Sequence, residues 1–233
     1  MAKSRIIKEL ANGTIDTQTA LKRTKVLLQD LGNDDILQWV NYEVEGYPSG
    51  EDVPEYRRLS GQLYGSYFKG SIANHIKYTN VSLPLGNMPE DARTVLLTCH
   101  ITQSVEALKG MIEENKKGDK HLSKSIPADN FPYIAHCNND PYMIITSARV
   151  ELSMADLYNI FPKIENKLLD VLSYLEKQFG NLDELDIDTS SKNDEEMRDI
   201  VDHIYVLIYN DHRVNIGSNN KIKDSSIASS IEK

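Results

Sequence analysis

Two arginine–histidine pairs are the residues in this chain whose types and spacing most resemble a reacting site. Arg198 and His203 are separated by four residues, and Arg93 and His100 by six. At that separation a guanidinium can stabilise a scissile phosphate while an imidazole protonates it, which is the chemistry of a ribonuclease. With 6 His in 233 residues and three allowed spacings, on the order of 0.6 such matches arise by chance if placement is random. Two matches are therefore unremarkable. Asp199 and Asp202 also put negative charge beside the first pair, where a phosphate would have to sit. Arg198 and His203 remain the one catalytic pair to test, and no other catalytic residue is assigned.

Other constellations fail on spacing. Cys99-His100 and His136-Cys137 suggest a metal site, but adjacent strand residues point to opposite faces. One such pair cannot easily give two ligands to a tetrahedral zinc, and no C-x2-C is present. Asp186-x-Asp188-x-Ser190 opens like a calcium loop, yet Ser191 stands where glycine is required and Met197 where the closing glutamate belongs. Phosphate-binding, dinucleotide, nucleophile-elbow and H-E-x-x-H motifs do not occur. Neither a cofactor nor a metal is expected.

The densest signature is not catalytic in type. Trp39 and Glu43 stand four apart on one predicted helix face, followed by Gly46, Tyr47, Glu55, Tyr56 and Arg57. Glu43 is placed to reach Arg57 or Arg58 and so to lock a helix to the segment after it. The functional reading of the same residues (Trp39, Glu43, Tyr47, Glu55, Tyr56, Arg57) is a recognition surface anchored by Tyr and Arg. The aromatic content leans the same way, with 12 Tyr against 4 Phe and 1 Trp. Tyrosine suits half-buried surfaces and interfaces.

Charge narrows the partners. The formal net charge is −9, whereas gripping phosphates needs clustered Lys and Arg. The longest basic stretch is Lys22-Arg23-Thr24-Lys25, read as a solvated helix face. Nucleic acid is not an expected partner. No apolar run resembles a signal peptide or approaches the ~18 residues of a membrane span. Two cysteines do not make a disulfide framework. A cytoplasmic, reduced protein without a membrane partner is expected.

The elements that must position these residues follow from periodicity and punctuation. Three helices are predicted over the first ~46 residues, capped at Ser4, at Asp16 or Thr17, and at Asn33 or Asp34, with breaks at Gly13, Gly32 and Gly46. Arg58–Phe68 reads as an extended segment with a bulge, and Ile76–Leu85 as a strand with an irregularity near Asn80. Pro89-Glu90-Asp91 opens a short helix or turn. Val95–Ile101 reads as a strand, and Ser104 caps a helix over Val105, Leu108, Met111 and Ile112. Lys116–Asp140, interrupted by prolines, reads as a long surface connection. Tyr142–Leu152 is the clearest strand, and Ser153 caps the longest helix, Met154–Phe179, with Pro162 starting a fresh helix within it. The acidic stretch from Asn181 reads as a linker or mobile loop. A short helix follows it, then Ile204–Tyr209 as helix or strand, and a hairpin-like tail around Gly217-Ser218-Asn219-Asn220. The fold class is α+β: an N-terminal three-helix unit, a small, mostly antiparallel sheet, a long C-terminal helix and a β-hairpin-like tail.

Three stretches in order carry a family resemblance. They are Leu21-Lys22-Arg23-Thr24-Lys25-Val26-Leu27, Trp39–Tyr47 (WVNYEVEGY), and Val53-Pro54-Glu55-Tyr56-Arg57-Arg58. Together they resemble the AbiTii domain, a family associated with bacterial abortive-infection defence against phage. The resemblance runs from about residue 3 to about residue 180, which implies an AbiTii-like domain over 1–180; composition and turn residues add an acidic linker or loop over 181–193 and a short helix with a β-rich tail over 194–233, which either folds back onto its own domain or serves oligomerisation. It carries over no catalytic residues. The function it implies is that of a non-enzymatic sensor, scaffold or oligomerising module in an anti-phage system. A homo-oligomer is expected, built through Val214, Ile216, Asn219, Asn220 and Ile222, with an effector protein or phage component as a further partner. The alternative is a toxin-like ribonuclease of the HEPN kind, using Arg198 and His203.

Overall fold

The computed structural model describes residues 3–71, 73–116 and 122–209. The three N-terminal helices form as their punctuation dictates: α1 (Arg5–Ala11), α2 (Thr17–Gln29) and α3 (Asp34–Glu45). Asp16 caps α2 by accepting the Thr19 amide at 3.0 Å, and Asn33 caps α3 by accepting the Asp35 and Ile36 amides, both at 3.1 Å. Ser4 precedes α1 without capping it. Its hydroxyl instead donates to Glu176 and accepts the Leu182 amide.

Strand β1 (Arg58–Ser60) and strands β2 (Gln62–Ser71) and β3 (Asn74–Ser82) follow. The β2–β3 register slips between Gly65 and Tyr67. At the slip Asn80 adopts φ 53°, and its amide donates to the Ser66 hydroxyl at 3.1 Å. The bulge and the irregularity near Asn80, expected separately from sequence, are the two sides of one defect.

The chain continues through α4 (Glu90–Leu97), β4 (Thr98–His100), α5 (Val105–Lys116), β5 (Ser123–Ser125), α6 (Phe131–Cys137) and β6 (Ile144–Glu151). Two expectations are corrected here. Val95–Ile101 is a strand only at its end. Pro89 and the acids Glu90 and Asp91 start a helix whose turns run through Val95, which is 77% exposed and has no strand to pair with. Lys116–Asp140 is not only a surface connection, because its prolines initiate structure. Pro127 precedes a 3₁₀ turn at Ala128–Asn130, and Pro132 sits in the first turn of α6, where no amide is needed. Ile134 of α6 is fully buried.

The strands form an antiparallel pair, β1–β4, and an antiparallel sheet of order β3-β2-β6-β5. Beyond β6 lie α7 (Met154–Tyr158), α8 (Ile160–Phe179) and α9 (Asp194–Tyr209). The long helix breaks at Asn159, three residues before Pro162, because the proline has no amide to return to the preceding turn. Ile160, Ile164, Leu168, Val171, Leu172 and Leu175 give α8 a fully buried stripe. This stripe is the axis of the molecule, with α1, α2 and α9 packed along it. Ile204–Tyr209 resolves as helix, since Ile200, Ile204 and Ile208 bury one face of α9 at helical spacing.

Candidate functional site

The sequence signature assembles into one buried polar cluster. Glu43 projects from the last turn of α3, and Gly46 ends that helix with φ 100°. A Cβ at Gly46 would lie 3.1 Å from the Thr102 carbonyl oxygen. Only glycine therefore combines the turn with this approach to the segment after β4. The Tyr47 amide then donates to the Thr102 carbonyl at 2.8 Å. A 3₁₀ turn at Glu55–Arg57 brings Tyr56 and Arg57 in from the other side.

Glu43 is saturated. Its Oε1 accepts from the Tyr47 and Tyr56 hydroxyls, both at 2.7 Å, and from Arg57 Nε at 3.0 Å. Its Oε2 accepts from Arg57 Nη2 at 2.5 Å. Trp39 Nε1 donates to the Tyr56 hydroxyl at 2.9 Å. Arg57 is equally committed: Nη1 donates to the carbonyls of Ile101 at 3.0 Å and Gln103 at 2.8 Å, and its guanidinium lies over the Tyr47 ring at 5.1 Å. Both side chains of the ion pair are 0% exposed. Burial disfavours the Arg57 charge, but the Glu43 carboxylate beside it outweighs that and holds its pKa above the usual arginine value. Burial first, and then the Glu43 charge, push the Tyr47 and Tyr56 phenols well above theirs.

Of the six signature residues, Trp39, Glu43, Tyr47, Tyr56 and Arg57 meet in this cluster, while Glu55 stays exposed outside it. Of the two arginines considered for Glu43, Arg57 takes it. Arg58 bonds instead to the Val53 carbonyl and, at 2.6 Å, to Asp52. The arrangement joins α3, the 3₁₀ turn and residues 101–103 through hydrogen bonds made within the protein. Sequence reasoning did not find the Ile101 and Gln103 carbonyls, because backbone acceptors carry no residue-type signal.

The arginine–histidine pairs do not converge. Arg198 and His203 both lie on α9, five residues apart and so about 140° apart around the axis. The His203 ring stacks on Tyr174 of α8, with centroids 4.1 Å apart. Burial there, and then the Lys177 charge, lower its pKa. Arg93 donates to the carbonyls of Met88 and Gly86, closing the loop before α4. Cys99 and Cys137 are buried free thiols, and among the described residues no group of three His, Cys, Asp or Glu could hold a metal. Asp188 of the calcium-like stretch caps a 3₁₀ turn by accepting the Ser190 amide at 2.9 Å. The oligomerisation residues Val214, Ile216, Asn219, Asn220 and Ile222 lie outside the described residues.

The Trp39–Arg57 cluster ties elements of the fold together, and a fold-defining signature is what a family comparison detects. The AbiTii family model matches residues 4–199. The chain belongs to the AbiTii family. Membership implies a part in abortive-infection defence against phage. No curated protein and no solved structure gives a significant match. The AbiTii match passes residue 180 and takes in the 181–193 loop and the first turns of α9. Among the described residues no helix is long and apolar enough to cross a membrane.

Proposed function

We propose that this AbiTii protein acts in abortive infection as a non-enzymatic module, sensing or scaffolding through contacts with copies of itself and with an effector or phage component. One observation carries the reading. The residues whose types best suit chemistry do not assemble into a reacting site: Glu43 and Arg57 are committed to each other and Arg93 to loop carbonyls, while Arg198 and His203 lie about 140° apart around α9. A general acid and a phosphate-binding cation must converge on one reacting group, and this pair does not. Cytoplasmic placement and self-association belong to the same reading.

The test is expression of the chain alone and under phage challenge, with growth and protection scored. The chain alone is expected to leave growth unaffected. Replacing Arg198→Ala together with His203→Ala is expected to leave protection largely intact. Growth arrest by the chain alone, or lost protection in a double variant still folded by circular dichroism, would support the toxin-like ribonuclease instead.

A further inference from the structure

A groove of about 520 Å3 lies between the start of α2, one side of α5 and the α7–α8 corner. That volume is within the range of small-molecule sites. Its floor is apolar: Val105 and Ile112 are buried there, and Phe161 is half-buried. Its rim is acidic, with the carboxylates of Asp16, Glu106, Glu113 and Glu165 against the ammonium of Lys109.

These carboxylates differ in how far they are engaged. Asp16 is tied to the α2 cap, and Glu165 accepts the Thr17 hydroxyl at 2.6 Å. Glu106 and Glu113 are exposed and take no ion-pair or hydrogen-bond partner among the described residues. They are two helical turns apart on α5, so they flank the same face. A further feature also calls for a donor. Gln18 lines the groove, and its Oε1 is buried without a hydrogen-bond partner. A buried acceptor left unsatisfied is costly, and because Oε1 is closed to solvent a ligand N–H would relieve it only once the half-buried Gln18 side chain turned toward the groove.

We propose that this groove binds a small organic cation, a protonated amine attached to an apolar or aromatic body. The body covers Val105, Ile112 and Phe161, the ammonium sits at Glu106 or at Glu113, which lie about 10.5 Å apart along α5 with Lys109 between them, and an N–H of the ligand serves Gln18. The same rim repels anions, so nucleotides and acidic metabolites are excluded by charge. The proposal stands independently of whether the protein is a sensor or a scaffold in defence.

The experiment is titration of the full chain with tryptamine and with octylamine, followed by calorimetry and by NMR shifts. Indole-3-acetate and octanoate serve as charge-reversed controls. Saturable binding of at least one amine is expected, at least about tenfold tighter than its anionic counterpart. Glu106→Gln with Glu113→Gln is expected to weaken amine binding about tenfold at an unchanged Tm, because both side chains are exposed. Phe161→Ala is expected to weaken it as well. Failure of both amines to saturate in the millimolar range, equal binding of the anions, or an unaltered affinity in the double Gln variant would overturn the proposal. Since binding is read on purified protein, none of these outcomes bears on the role in phage defence.

Discussion

The Glu43–Arg57 pair shows how one buried charge organises its neighbours. Taking two charges out of water costs several kcal/mol each, and the pair tolerates it because both carboxylate oxygens and all three guanidinium nitrogens are hydrogen-bonded. Removing one side of such a pair leaves the other buried and uncompensated. Arg57→Ala is therefore expected to destabilise the protein by about 3–5 kcal/mol, read as a drop in the urea midpoint at unchanged slope. Trp39→Ala is expected to cost a similar 3–5 kcal/mol as a large-to-small core change, since Trp39 is 1% exposed. If either variant kept its melting temperature yet lost protection, the cluster would be a binding surface and the structural reading would fail. Part of this site was legible in the sequence. The four-residue spacing of Trp39 and Glu43 and the nearby Arg57 gave the lock, because helical periodicity places residues reliably along one face. The convergence of Tyr47 and Tyr56 on one carboxylate oxygen was not legible, since it depends on where a 3₁₀ turn and the segment after β4 meet in space.

At the scale of elements, local chemistry decided most boundaries and tertiary context decided the rest. The caps at Asp16 and Asn33 and the stops at Gly32 and Gly46 were readable because each satisfies a backbone group within its own few residues. The strand expected over Val95–Ile101 forms only at Thr98–His100, where β1 supplies a partner, and the residues before it, with none, stay in α4. The helix α9 shows an unread local device. The Asn193 side chain accepts the Glu195 and Glu196 amides at 3.0 and 2.9 Å, and Glu196 accepts the Asn193 amide at 3.0 Å. This reciprocal pair is a capping box with asparagine at the cap. Asn193→Ala is expected to lower stability by about 1 kcal/mol, seen in thermal melts. A change in the opposite direction is expected at Gly110, in the interior of α5. A Cβ there would meet nothing within 4 Å, and the residue is exposed. Gly110→Ala is therefore expected to stabilise by about 0.5–1 kcal/mol through helix propensity alone. An unchanged or lowered urea midpoint would show that α5 at this point is held for some purpose other than stability.

At the scale of the whole molecule, the acidic stretch after α8, whose composition suggests a linker or mobile loop, is a loop packed against the body. Leu182 is fully buried and Ile187 is 5% exposed, and the Ile187 amide donates to Asp30 at 3.2 Å, so the loop is fastened back onto α2. Two buried aliphatic side chains outweigh the surrounding acids, a balance that composition averaged over the stretch conceals. The same loop meets the start of the chain. The Ser4 hydroxyl accepts the Leu182 amide at 3.0 Å and donates to Glu176 Oε1 at 2.6 Å, while Lys3 donates to Glu176 Oε2 at 2.7 Å. Glu176 thus joins the N-terminal segment, the end of α8 and the loop beyond it. Its pKa follows from that position: partial burial opposes the charge, but the hydrogen bonds from Lys3 and Ser4 outweigh it and lower the value from 4.5 to about 2. A folded-state pKa below the unfolded one stabilises the fold fully above about pH 4.5, and that stabilisation is lost as pH falls toward 2. With 35 Asp and Glu in the chain, many carboxylates protonate over the same range, so the wild-type melting curve alone would not isolate this one. Comparison with Glu176→Gln does. The variant is expected to be less stable by about 1.5–3 kcal/mol at neutral pH, the usual worth of hydrogen bonds to a charged group. The gap between the two proteins should then close as pH is lowered from about 5 to about 2.5, because the Glu176 carboxylate of the unfolded wild-type chain takes up a proton there while the folded one stays ionised, a linkage the variant does not have. Melting temperatures that run parallel across that range would mean that Glu176 does not bind the chain's beginning to the end of its longest helix.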